Sequence, residues 1–148
     1  MISLTLKLVT PERAVALMEA AAVTLPIADG DVTILPTHTP YIGALKAGEV
    51  IIRLTDGKTE SLAVSGGFVE FDTNTLSILA DTAERAEEID MERAEAARAR
   101  AEAIQLKQGA MGEEEYARVA AALEKEMIRI RVVRKHRSRV GPNVISQE

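Results

Sequence analysis

Residues 76–101 read LSILADTAERAEEIDMERAEAARARA, and the period of their apolar positions changes partway along. Up to Asp81 the apolar residues follow the two-residue rhythm of a strand; beyond Glu84 they recur every three or four residues, as on a helix face. Upstream, Ile2, Leu4, Leu6 and Leu8 alternate with Ser3, Thr5, Lys7 and Val9, the pattern of a half-buried strand. Short apolar runs follow at 20–25, 32–35, 49–54, 62–64, 68–71 and 76–79. Asp29-Gly30, Asp56-Gly57, Gly66-Gly67 and Asp72-Thr73-Asn74 separate them, each supplying residues that tolerate positive φ or bond their own backbone. Such spacing predicts an antiparallel β-sandwich or small barrel. The stretch 14–22 has helix propensity, but Pro11 before it and Pro26 after it favour extended chain.

Downstream, residues 90–107 are rich in Ala, Glu and Arg and hold no Gly or Pro, which predicts a helix with Asp90 as N-cap and Ile89 as the preceding apolar residue. Ala94, Ala97, Ala101 and Ile104 share its apolar face. Gly109 and Gly112 break the run, and Glu113-Glu114-Glu115 suits the positive N-terminus of a second helix. Tyr116, Ala120, Leu123, Met127 and Ile130 form the seam expected of an antiparallel partner. The fold class is therefore α+β, divided into a sandwich over 1–84, a helical hairpin over 85–140 and a flexible tail over 141–148 that opens on Gly141-Pro142. An alanine-dominated seam is close but shallow, so parting the two helices costs little. A permanently closed αα-hairpin is the alternative reading of the same residues.

Bulk composition narrows the function classes. The 148 residues carry a net charge of -5, which argues against a nucleic-acid-binding protein as a whole. The absence of Cys removes disulfides, thiolate nucleophiles and Cys-based zinc sites and fits a reducing compartment. No apolar run reaches the ~18 residues of a membrane span, and the N-terminus has no secretory signal pattern.

Catalytic constellations are scarce. His38 lies in the loop Pro36-Thr37-His38-Thr39-Pro40 and His136 in a basic tract, with no metal-like ligand spacing. Ser65-Gly66-Gly67 resembles a nucleophile turn but lacks the Gly two residues before the Ser, and no phosphate-cradling loop is present. Charge carries more signal. The join at 84–90 is acidic, whereas Arg129, Arg131, Arg134, Lys135, Arg137 and Arg139 make a dense cationic run. That run exceeds what a helix C-terminus needs for its dipole and suits docking to an acidic protein surface, with anionic lipid or nucleic acid as weaker options.

Four segments carry a resemblance. Val9-Thr10-Pro11-Glu12-Arg13, Ile34-Leu35-Pro36 with His38 and Pro40, the run Val64-Ser65-Gly66-Gly67-Phe68-Val69-Glu70, and Ile78-Leu79-Ala80-Asp81-Thr82-Ala83-Glu84 occur in the order and near the spacing of the ε subunits of F-type ATP synthases. Ile89-Asp90-Met91-Glu92-Arg93-Ala94 continues the match, which spans about Leu4 to Arg129. The resemblance implies a non-catalytic rotor subunit of the central stalk. Its sandwich would bind the γ subunit and rest on the c-ring. Its hairpin would lie folded or extend along γ into the α/β catalytic head, restraining ATP hydrolysis. It also implies a peripheral position on the cytoplasmic face of a bacterial plasma membrane and coupling of proton translocation to ATP synthesis.

Carried over residue by residue, Asp31 and His38 fall on loop positions facing γ and the c-ring. Ile89, Asp90, Arg93 and Ala94 match the signature that binds ATP in some bacterial members, with Glu84, Arg100 and Arg129 on further positions of that site. No cofactor is required; ATP would be a regulatory ligand. Lys125 replaces an Arg of ATP-binding members, and Lys lacks the bidentate guanidinium fork. Asp90 as an N-cap with Arg93 beside it explains the same residues without nucleotide. Gly30-Asp31-Val32-Thr33 replaces a Gly-Glu-Leu-Gly, and Thr37 replaces the Gly before His38, so loop shape is expected to differ. Two other functions fit fewer residues: a stand-alone ATP-sensing module, and a small β-barrel enzyme using His38.

Overall fold

The computed structural model describes residues 2–107 and 111–140. Seven strands come first: β1 (Leu4–Val9), β2 (Ala14–Ile27), β3 (Gly30–Ile34), β4 (Tyr41–Leu54), β5 (Thr59–Asp72), β6 (Thr75–Ala80) and β7 (Ala83–Arg85). A 3-10 turn at Ala86–Glu88 precedes α1 (Met91–Gln105) and α2 (Glu113–Val140). The chain falls into two compact units, the first ending at Glu88 and the second starting at Ile89. Residues 85–88 thus go with the sheet rather than with the helices, because β7 pairs with β5 through Leu62↔Arg85 and Val64↔Ala83. The expected tail, 141–148, and Gly109 lie outside the described residues.

The first unit is one sheet in the order β1-β6-β5-β4-β2-β3, closed by an additional pairing of β1 with β2. The pairing of β1 with β6 is parallel, Leu6 opposite Leu76 and Leu8 opposite Ile78. Every other pairing is antiparallel. The sequence predicts an antiparallel sandwich and misses this one rung, since strand direction leaves no trace in alternation.

Two layers arise from one sheet because the long strands fold over mid-length. In β5 the inward residues are Leu62 and Val64, then Val69 and Phe71, so the phase flips between them. Gly66 and Gly67 sit at that flip with φ of 128° and 131°. β4 flips opposite, from Leu45 to Val50 and Ile52. In β2 a bulge between Ala20 and Ala22 performs the same inversion, from Ala16 and Ala20 to Val23 and Leu25. Gly66-Gly67, expected as a turn between two strands, is instead a corner inside one 14-residue strand. A side chain at Gly67 would collide with the Leu79 carbonyl oxygen and stand 2.9 Å from the Ala80 Cα. Pro26 lies within β2. The ladder to β4 is irregular between Thr24 and Ile27, which accommodates a residue with no N–H to give.

Leu4, Leu6, Leu8, Val23, Leu25, Val50, Ile52, Leu62, Leu76 and Ile78 are fully buried between the layers. Each contributes roughly 1.5–3 kcal/mol through burial of its side chain. The expected turns at Asp29-Gly30 and Asp56-Gly57 are present, and at Asp72–Thr75 the central residues Thr73 and Asn74 have φ of 47° and 58°. Positive φ at both central positions matches the right-handed twist of the flanking strands.

In the second unit α1 and α2 pack on each other. A Gln105–Tyr116 hydrogen bond of 3.4 Å and a Glu95–Arg134 ion pair of 3.8 Å set an antiparallel register. Ala94 and Ala101 are buried on α1, as expected, but Ile104 is 44% exposed. On α2, Met127 is 53% exposed and leaves the expected seam, while Ile128, Ile130, Val132 and Val133 are buried. Beside Met127 on the same helix, Arg129 and Glu126 form an ion pair of 2.7 Å with side chains only 18% and 14% exposed.

Replacing Gly67 with Ala should cost at least about 3 kcal/mol, measured by denaturant unfolding, because the obstacle is backbone that cannot swing aside. A pH effect is expected where β1 and β2 pair. The Glu19 carboxylate accepts hydrogen bonds from Ser3 Oγ at 2.6 Å and Thr5 Oγ1 at 2.9 Å, which hold its pKa below the usual value. Its stabilising contribution is present above the ordinary glutamate range and disappears as pH falls through the lowered folded-state value. An NMR titration of Glu19 should move up in the Ser3→Ala/Thr5→Ala variant.

Candidate functional site: a docking face and a charged helical arm

Residues opposite one another on neighbouring strands share a face of the sheet. In the layer containing the first half of β4, Ala44 stands opposite Phe68, Phe68 opposite Leu79, and Leu79 opposite Val9. All point outward: Phe68 is 63% and Leu79 56% exposed. Two residues along, the same face shows Ile42 at 78% and Leu17 at 72% exposure, with Lys7 and Glu70 between them. The row from Ala44 to Val9 crosses four strands, about 14 Å at the usual strand spacing. An apolar stripe of this size on an outer sheet face marks a docking surface. The sequence reading counted Phe68 with Val69 and Phe71 in one apolar run. Parity separates them: Phe68 shares the phase of Glu70, and that alternation was the available signal.

Asp31 is exposed at the start of β3, and His38 lies beyond that strand's end in the following loop. The strand between them separates the two by on the order of 10 Å along its axis. His38 is half-buried, edge-on to Tyr41 and Phe71 at ring-centroid distances of 6.4 and 6.0 Å. Its Nδ1 lies 2.7 Å from the Thr39 carbonyl oxygen. A carbonyl only accepts, so Nδ1 carries the proton. Ser65 Oγ lies 2.5 Å from Thr82 Oγ1. Among the described residues no cluster of His, Asp and Glu could hold a metal ion.

The loop before His38 is a tight turn. The His38 N–H donates to the Leu35 carbonyl at 3.1 Å, and Thr37 adopts φ of 64°, as the third residue of a type II turn with Pro36 second requires. A β-branched residue is thus held in the left-handed region.

The residues assigned to a nucleotide site cluster only in part. Ile89 is buried, Asp90 caps α1 by accepting the Arg93 N–H at 3.2 Å, and Ala94 is fully buried one turn on. Arg93 and Arg100 are exposed on α1, about 10 Å apart along the axis. Glu84 sits on β7 in the first unit. Arg129, on α2, donates to Glu126, so a phosphate would have to compete with that carboxylate. Arg131, Arg134, Lys135, Arg137 and Arg139 are exposed on the last turns of α2, a single helix of 28 residues.

Sandwich and hairpin together are matched by known proteins. Residues 3–86 match the family described as ATP synthase, Delta/Epsilon chain, beta-sandwich domain, and residues 87–134 match ATP synthase, Delta/Epsilon chain, long alpha-helix domain. The chain belongs to the ATP synthase delta/epsilon chain family. Within that family its curated relatives are ATP synthase epsilon chains, and like them it is a non-catalytic subunit. The epsilon chain of Moorella thermoacetica is 46% identical over 88% of this chain and 96% of its own length; that of Chloroflexus aggregans is 44% identical over 89% and 93%. A chain of the mitochondrial ATP synthase of Euglena gracilis (OSCP/F1/c-ring) shares the fold with a TM-score of 0.74 at 24% identity, covering 86% of this chain and 79% of that one. One from the central stalk/c-ring structure of the Tetrahymena thermophila enzyme reaches 0.53 at 17%, over 89% and 94%. No helix among the described residues is long and apolar enough to cross a membrane.

The cap assignment is testable. Asp90→Ala should destabilise the start of α1 by about 1 kcal/mol and speed hydrogen exchange at the Arg93 amide.

Proposed function

We propose that this chain works in the rotary central stalk of a membrane ATP synthase, on the cytoplasmic face of a bacterial plasma membrane. Its sandwich docks on the γ subunit and the c-ring, and its hairpin restrains ATP hydrolysis while proton translocation is coupled to synthesis. The observation that carries the reading is the outward apolar row Ala44-Phe68-Leu79-Val9 on a rigid sheet, flanked by Ile42 and Leu17. We assign this row to γ, and Asp31 with the His38 loop to further rotor contacts with γ and the c-ring.

The hairpin supports the second half of the reading. Its buried α1 seam residues are alanines, which bury little side-chain area, so opening the helices sacrifices little. The ion pair Arg129–Glu126 lies within α2 and stays intact when the helices part. An extended α2 would present Arg131, Arg134, Lys135, Arg137 and Arg139 to acidic surface on the catalytic head. ATP bound near Arg93 and Arg100 would act as a regulatory ligand favouring one arrangement of the arm.

Co-purification with γ decides the docking assignment. Phe68→Asp/Leu79→Asp alters only exposed side chains and should abolish recovery of the complex; unchanged recovery removes the face from the reading. In the assembled enzyme the full chain should slow ATP hydrolysis more than a chain ending at Glu88, and equal rates would remove the braking role. Calorimetry of the full chain with ATP at millimolar concentration should register heat; a flat titration disposes of the regulatory ligand.

A further inference from the structure

We infer that Asn74 is a positioning residue that preforms the His38 loop for docking, an inference that rests on the assignment of this loop to a rotor contact. Asn74 lies far from the loop in sequence, in the tight turn between β5 and β6. Its side-chain amide nevertheless joins two other segments. Oδ1 accepts the Thr37 N–H at 3.0 Å, and Nδ2 donates to the Ser3 carbonyl at 2.7 Å. Its own backbone carbonyl accepts the Thr5 N–H at 3.0 Å. One residue thus fastens the entry to β1, the β5–β6 turn and the middle of the loop.

The bond to Thr37 falls where the loop most needs it. Thr37 is β-branched and sits at φ of 64°, a conformation that an unassisted Thr rarely populates. In the free loop the extended and right-handed wells would compete with it. The position of Thr37 fixes the His38 backbone through the Leu35–His38 turn bond of 3.1 Å, and thereby holds the imidazole against Tyr41 and Phe71. Asn74 itself stands at φ of 58°, where Asn is among the best tolerated residues other than Gly. The same backbone conformation aims its amide at Thr37 and Ser3. A loop fixed before encounter loses no conformational freedom on docking, which is how preorganisation raises affinity.

Asn74→Gly tests this cleanly, because Gly accepts the positive φ of the turn and removes only the amide. In the isolated full chain, hydrogen exchange at the Thr37 amide should speed up at least about tenfold while core amides of β5 and β6 keep their protection. In the full chain assembled with its γ subunit and c-ring, affinity should fall at least about tenfold, with His38→Ala as the reference loss. Unchanged Thr37 exchange overturns the clamp. Faster exchange with unaltered assembly, alongside a loss in His38→Ala, overturns the positioning role while the loop remains a contact. If His38→Ala also assembles normally, the rotor-contact assignment fails and the inference with it.

Discussion

The close approach of Gly67 to the Leu79 carbonyl, which leaves no room for a Cβ, is the constraint on which the rest depends. Only a residue without Cβ allows β5 to fold over there while staying hydrogen-bonded to β6 on one side and β4 on the other. The fold-over lets one sheet supply both layers and bury the leucines of β1 against Val50, Ile52 and Leu62. It also turns Phe68 outward beside Leu79, so the exposed apolar row is a direct consequence of the corner.

The two units are built on opposite principles. The sandwich has long aliphatic side chains with no exposure and a closed pairing path, so it presents its surface rigidly. Among its described residues the hairpin buries only two alanines on α1 and four β-branched residues on α2, so less apolar surface holds it together.

Much of this was legible in the residues. Alternation in 2–9 and 76–79 marked strands, and Asp90 declared a helix start because a carboxylate three residues before an N–H is a cap whatever surrounds it. The family was legible too, from Ile34-Leu35-Pro36, Val64 to Glu70 and Ile78 to Glu84 in order. Other features were not. Gly66-Gly67 reads equally as a turn or a corner, since both need positive φ. Met127 fits a heptad seam by spacing, yet the fold leaves it 53% exposed. Asn74 reads as a turn residue, and nothing local says that its amide reaches Thr37 and Ser3.

Local chemistry by itself determined that strands precede helices, where most of them lie, where α1 begins and where charge accumulates, because propensity, capping and period act over a few residues. The tertiary structure alone decided that β1 and β6 run parallel, that one sheet makes both layers, that Phe68 and Leu79 meet on the outside, and that Asn74 holds the His38 loop. Each of these joins residues distant in sequence, and only the folded backbone brings such groups within bonding range.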